Sequence, residues 1–293
     1  MTSASNWVAG ARPRTLTAAI APVMVGTALA GSSWIPIRAV LALVVAMSLQ
    51  VGVNYANDYS DGVRGTDRSR VGPVRLVGQG LAPARQVRAA AFLSFAIAAL
   101  AGLVLVAMSG HWWLLGIGAA AIAAAWLYTG GPHPYGYLGL GEIFVFVFFG
   151  LVPVLGTLYI QTGTIDGTAV LAAVGVGALA CAILVTNNLR DIPTDSDAGK
   201  RTLAVRLGDR RTRALFVSLI VTAFVVVAVM GSIQPWTLLG LLSAPWAIRP
   251  LRIIRRGSVG PDLIPALVSA GELVIAYAVA LTCGLLLPVI FHP

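Results

Sequence analysis

Asn54-Tyr55-Ala56-Asn57-Asp58-Tyr59-Ser60-Asp61-Gly62-Val63-Arg64-Gly65-Thr66-Asp67 follows directly on a long apolar run, and its acids and amides stand apart from everything around them. A second stretch echoes it: Asn187-Asn188-Leu189-Arg190-Asp191-Ile192-Pro193-Thr194-Asp195-Ser196-Asp197-Ala198-Gly199-Lys200. Both contain Asn-x-x-x-Asp, and in both another Asp follows within about one helical turn. Of the 293 residues, 58% are hydrophobic and 11% charged. A soluble domain carries roughly 25% charged residues, so the composition excludes an ordinary globular chain and points to a polytopic membrane protein. In lipid every backbone polar group must be satisfied within the protein, and apolar runs of this length satisfy theirs as helices. The expected fold is therefore all-α. The net charge of +9 is not the footprint of a nucleic-acid binder, because the charges gather between apolar runs. Cys181 and Cys283 fall in different apolar segments without metal-ligand spacing, and they read as small buried residues rather than a disulfide pair.

Nine candidate transmembrane spans cover roughly 16–30, 39–57, 89–109, 112–129, 142–161, 168–187, 214–231, 235–248 and 264–290. The first, with Ala28-Leu29-Ala30, looks like a cleavable signal, but the many-span pattern after it favours a retained helix. Of the 20 basic residues, only Arg38 falls in a connection opposite to the rest. Positive charge marks the cytoplasmic side, so the amino terminus is expected inside, the carboxyl terminus outside, and the protein in the cell membrane. Both polar stretches then end spans that run from outside to inside. They lie 133 positions apart. That spacing suggests one domain over 1–293 built from an internal repeat, roughly 1–130 and 131–260, plus a final helix.

Residues three and four apart share a helix face. Asn54, Asp58 and Asp61 would form one polar stripe, and Asn187 or Asn188, Asp191 and Asp195 another. Carboxylate and amide oxygens are hard ligands suited to magnesium or calcium and poor for zinc. Magnesium commonly binds through one or two carboxylates together with substrate phosphates. Arg64, Arg70, Arg75, Arg190, Lys200 and Arg201 stand near enough in sequence to reach phosphate oxygens. Distal cations such as Arg210, Arg211, Arg255 and Arg256 read instead as solvated topology signals. The Asp stripes do not, because polar groups at the ends of apolar spans are costly unless they line a cavity.

The paired motifs resemble the two aspartate-rich signatures of the UbiA superfamily of intramembrane prenyltransferases. The first reads Asn57-Asp58-x-x-Asp61 with Gly65 and Asp67 following. The second reads Asp191-x-x-x-Asp195 followed by Gly199-Lys200-x-Thr202-Leu203. The likeness runs from Ala11-Arg12-Pro13-Arg14-Thr15 to the ninth span. It implies nine helices around a central cavity with cytoplasmic capping loops, and Mg²⁺ as cofactor. Asp58, Asp61, Asp191 and Asp195 would be catalytic. Together with Asn54 and Asp67 they would hold metal, while Asn54, Asn57, Arg64, Arg70, Arg75, Asn187, Asn188 and Lys200 would bind the diphosphate of a polyprenyl diphosphate. The prenyl group would pass to an electron-rich aromatic ring in a cavity shielded from water.

The loop Tyr128 to Glu142 is rich in Gly and Tyr and has no Lys or Arg, which argues against 4-hydroxybenzoate as acceptor. With Arg70-Val71-Gly72-Pro73-Val74-Arg75, it is similar to the menaquinone-branch members of the family. That likeness implies 1,4-dihydroxy-2-naphthoate as acceptor, loss of CO₂, and demethylmenaquinone as product. Tyr55, Tyr59, Tyr135, Tyr137 and Glu142 are the candidate acceptor contacts. His133 is either a general base or, as its flanking prolines favour, an exposed turn residue. Glu272, two turns into the ninth span, is expected to pair with an interior polar group. Homogentisate or another acceptor within the superfamily is the nearest alternative. An ion-coupled transporter is disfavoured, since such sites lie near the bilayer midplane.

Overall fold

The computed structural model describes residues 2–65 and 74–291; Asp67 and Arg70 lie outside them. Every regular element it describes is helical. A short α1 (Ala4–Ala11) precedes α2 (Thr17–Leu29) and α3 (Pro36–Arg64). Next come α4 (Ala84–Ser109), α5 (Leu114–Leu127), α6 (Gly141–Thr162) and α7 (Gly167–Arg190). The last four are α8 (Ile192–Asp197), α9 (Leu203–Ile233), α10 (Ala244–Arg255) and α11 (Ile264–Phe291).

Six helices are long and apolar enough to cross a membrane: α3, α4, α6, α7, α9 and Gly260–Ile290, which contains most of α11. The shorter apolar α2 and α5 occupy two more of the expected positions. The expected span 235–248 is a composite, Pro235–Ser243 winding as a 3-10 helix before α10 begins. Nine uniform spans are thus not what the described residues form. Local chemistry sets the boundaries. Pro36 opens α3 where its missing N–H costs nothing, and Gly65 closes it in the left-handed conformation at φ 75°. Asp166 caps α7 by accepting the Ala169 N–H at 2.7 Å. Within α9, Gly208 at φ 74°, ψ 172° breaks the helix, a geometry open to glycine at little steric cost.

α7 is the central rod, packed against α2, α6, α9 and α11. Its small residues, among them Ala172, Ala173, Gly177 and Ala178, let neighbouring backbones come close. A Cβ at Gly150 on α6 would strike the Gly177 Cα, and one at Gly26 on α2 would meet the Val154 carbonyl. Association in lipid relies on such packing because the tails are as apolar as the side chains. α6 accommodates the approach with a π-helical stretch, Phe146–Leu151.

At the bundle end opposite the polar motifs, Arg38 holds three helices together. Its guanidinium donates to the carbonyls of Ile160 on α6 and Met108 on α4, each at 2.7 Å. Carbonyls in a last helical turn lack partners inside the helix and carry partial negative charge. Arg38→Ala is expected to cost about 1–3 kcal/mol, read as a lower unfolding temperature in detergent. An unchanged midpoint would show the bridge to be idle.

Candidate active site

The last two turns of α3 and the segment after α7 meet at one end of a cavity of about 260 Å³. Asn54, Asn57 and Asp61 line it from α3, as their spacing on one helix face requires. Asn187, Asn188 and Arg190 line it from α7, with Asp195 and Lys200 just beyond. Lys200 is positioned by a turn in which its N–H donates to the Asp195 carbonyl at 2.8 Å, next to Gly199 at φ 73°. The Lys200 ammonium is buried between the two motifs, 3.2 Å from Asp61 Oδ1 and 3.9 Å from Asp195 Oδ1. Tyr137 closes this cluster by donating its hydroxyl to Asp61 Oδ1 at 2.5 Å, its ring 4.6 Å from the ammonium. The Arg201 N–H donates to the Tyr137 carbonyl at 2.9 Å, fastening the second motif to the α5–α6 loop.

The other aspartates do different work. Asp58 is fully buried, and its Oδ2 and Oδ1 accept the N–H groups of Leu76 at 2.7 Å and Val77 at 3.0 Å. Asp191 takes a bidentate pair of bonds from Arg190, at 2.7 and 2.8 Å. Neither residue lines the cavity. The expected metal group of Asn54, Asp58, Asp61, Asp67, Asp191 and Asp195 is therefore not assembled as one cluster among the described residues. Among the described residues, Asp61 and Asp195 converge on the Lys200 ammonium. Asn54 donates to the Ala11 carbonyl and to Thr15 Oγ1, and Gln50 donates to the same hydroxyl. These bonds fix the turn that carries Arg12, the one non-glycine residue with positive φ among those described (54°). Arg64 donates to the carbonyls of Thr129 and Gly131, tying the end of α3 to the α5–α6 loop. Arg75 is buried on the cavity wall.

Of the candidate acceptor contacts, Tyr135 and Tyr137 line the cavity. Tyr135 stacks on Phe144 at 3.9 Å between centroids and donates to the Ala124 carbonyl at 2.8 Å, and burial holds its phenol above the ordinary range. Tyr55 and Tyr59 do not line it: the Tyr55 hydroxyl donates to the Trp7 carbonyl, and Tyr59 stacks on Trp126. Glu142 acts one step back, its Oε1 accepting from Asn188 Nδ2 at 2.9 Å while its Oε2 lacks a hydrogen-bond partner. His133 and Glu272 are both exposed, which suits the turn reading of the first and leaves the second without the interior position expected of it. Of the two cysteines expected to be buried, Cys181 is buried and Cys283 is exposed. Arg12, Thr15, Gln50, Thr129 and Thr202 also line the cavity. Arg12 and Thr15 belong to the Ala11–Thr15 stretch and Thr202 to the second motif, whereas neither Gln50 nor Thr129 was singled out in sequence.

The carboxylates of Asp61 and Asp195 and the amides of Asn54, Asn57, Asn187 and Asn188, at the polar end of one cavity, make a donor set that fits a hard cation bound through few protein ligands and completed by phosphate oxygens. The Lys200 ammonium, held between Asp61 and Asp195, shows that this point already attracts a cation. Away from it the wall is apolar, with Phe148, Phe149, Val152, Ile183 and Leu184.

The chain is similar to several proteins along most of its length. The 1,4-dihydroxy-2-naphthoate octaprenyltransferase of Mycobacterium tuberculosis is 54% identical over 289 residues, covering 97% of this chain and 98% of its own. The Escherichia coli protein of the same name is 40% identical over 261 residues, 85% of each chain. In structure, the chain is similar to a UbiA homolog from Aeropyrum pernix K1, with a TM-score of 0.69 and 15% identity over 90% of this chain and 96% of that one. It is also similar to a UbiA homolog from Archaeoglobus fulgidus bound to DMAPP and Mg²⁺, with a TM-score of 0.66 and 17% identity over 94% and 99%. At such identities the structural likeness concerns the fold alone. The apolar helices belong to an integral membrane protein. Residues 19–262 match the UbiA prenyltransferase family, and with relatives this similar along nearly its whole length, the chain belongs to that family.

Proposed function

We propose that this chain transfers a polyprenyl group from polyprenyl diphosphate to 1,4-dihydroxy-2-naphthoate with loss of CO₂ and diphosphate, giving the quinol form of demethylmenaquinone, which a separate two-electron oxidation converts to the quinone. The observation that carries the reading is the convergence of Asp61, Asp195 and Lys200 at the polar end of an otherwise apolar cavity, in a chain whose relatives at 40–54% identity bear that activity in their names. Asn57, Asp61, Asn187, Asn188 and Asp195 would hold Mg²⁺ and, with Lys200 and Arg75, the diphosphate. When bound, Mg²⁺ supplies neutralisation of the charge that builds on the departing diphosphate. The residues do the rest. Lys200 offers a second positive centre to that leaving group, which takes the electron pair of the C–O bond. Phe144, Phe148 and Phe149 keep water from the allylic carbon. The ring carbon bearing the carboxylate attacks that carbon, and the carboxylate's C–C electron pair returns to the ring as CO₂ leaves. Asp58 and Asp191 support the site through the 74–80 turn and Arg190.

The placement of both motifs at the bundle end opposite Arg38 supports a site facing the cytoplasm of the cell membrane, the amino terminus on the same side. Their spacing supports the reading of two related units, roughly 1–130 and 131–260. The test uses acceptor labelled at the carboxyl carbon. Purified protein with Mg²⁺ should release labelled CO₂ in step with prenylated product, and 4-hydroxybenzoate or homogentisate should react at least roughly 10²-fold more slowly. Faster turnover of either of those, or prenylation with the label retained, would overturn the acceptor assignment.

A further inference from the structure

A second cavity, of about 140 Å³, lies between α2, α3, α4, α5 and α6. Thr157 carries the one hydroxyl among the residues that line it; the rest are apolar, with Ala42, Gly102 and Gly156 leaving the most room. Ala46, Val152 and Pro153 line both this cavity and the main one. The two spaces are therefore neighbours across a single ring of small or rigid side chains. Along α3, Ala46 precedes Asp61 by 15 residues and Ala42 by 19. At 1.5 Å per residue these positions are about 22 and 28 Å from the diphosphate end.

We infer that this second cavity is the distal subsite for a long isoprenoid tail of the donor, which threads past Ala46, Val152 and Pro153 after filling the main cavity. The inference rests on the polyprenyl-transfer reading above and deepens it. For a tail fixed by its diphosphate near Lys200, this cavity is an apolar continuation that shares walls with the main one and runs toward the opposite end of the bundle. Short tails end before the ring of shared residues; long ones must pass it. Donor length is then felt at α4 and α6, far from any group that touches the diphosphate.

The test places bulk in the second cavity alone. A Cβ at Gly156 meets nothing within 4 Å, and one at Gly102 meets only Val45 Cγ2 at 3.8 Å, so both positions accept a larger side chain. Gly156→Phe and, independently, Gly102→Phe are assayed with farnesyl and octaprenyl diphosphate against the same acceptor. We expect kcat/KM for the octaprenyl donor to fall about tenfold or more, the scale of excluding a few buried methylenes. The farnesyl donor should stay within about twofold, which also reports an intact fold. An equal loss with both donors, or no loss with either, overturns the subsite; the second result is the one expected if a bilayer acyl chain fills it. Failure of the unsubstituted protein to prenylate the acceptor with either donor would overturn the functional reading, and this inference with it.

Discussion

Asp61→Asn should lower prenyl transfer by on the order of 10³-fold, and EDTA should reduce the unsubstituted protein to background until Mg²⁺ is returned. Asp61 is the carboxylate of the first motif that both lines the cavity and meets the second motif, through Lys200 at 3.2 Å. Asparagine keeps its shape and removes its charge, so a divalent cation and diphosphate would lose a principal anchor. Removing one partner of a buried ion pair also destabilises, because the other charge stays buried. Lys200 keeps Asp195 at 3.9 Å and the Tyr137 ring at 4.6 Å, which softens but does not cancel that cost. A double-mutant cycle separates the two effects. Asp61→Asn with Lys200→Met removes both charges and should recover most of the unfolding temperature while recovering none of the activity. Activity above a tenth of the original in Asp61→Asn, or turnover that survives chelation, would remove Asp61 and the metal from the mechanism.

Asp58→Ala should act on stability first. The buried N–H of Leu76 and the half-buried N–H of Val77 depend on its carboxylate, and orphaning a buried donor costs about 1–3 kcal/mol. Loss of both bonds, at least about 1–3 kcal/mol, would loosen the turn 74–80. Leu76, fully buried against Gly10, would leave its seat, and Arg75 with it. Asp58→Asn keeps one acceptor oxygen and should cost less. The measurement is thermal unfolding in detergent beside activity at a temperature where both variants remain folded. If Asp58→Ala unfolded at the original temperature and yet were inactive, the residue would be a ligand rather than a brace.

These two substitutions mark how far the sequence could be read. Acids and amides at the end of an apolar run are conspicuous because lipid penalises them, so both motifs were legible. The face each presents was not, since Asn57 lines the cavity where Asp58 was expected, and Asp191 does not line it. Which oxygen serves what was not legible either. Asp58 and Asp61 stand three residues apart with the same side chain, and only the return of the chain at Leu76 decides that one binds backbone while the other meets Lys200. Arg64 reads in sequence as a phosphate contact, but nearby carbonyls at Thr129 and Gly131 engage it first. Gln50 was invisible because an amide on an apolar helix gives no hint of which side faces the cavity, and Thr129 because a hydroxyl in a turn carries no helical phase. Span 235–248 was recognisable as apolar, but hydropathy does not distinguish 3-10 winding from α.

The π-helical stretch in α6 carries a consequence for register. A π turn takes in one residue more than the α turn it replaces, so everything after it is rotated by about 100° relative to an uninterrupted helix. Upstream of Phe146, α6 is phased so that Glu142 meets Asn188 and Phe144 meets Tyr135. Downstream, it is phased so that Val154 meets Gly26 and the carbonyl of Ile160 meets Arg38. One unbroken α-helix could satisfy either set but not both. The extra residue thus lets α6 answer to the chemistry at one end and to the packing at the other, and it leaves the two ends free to change in sequence without forcing each other to turn.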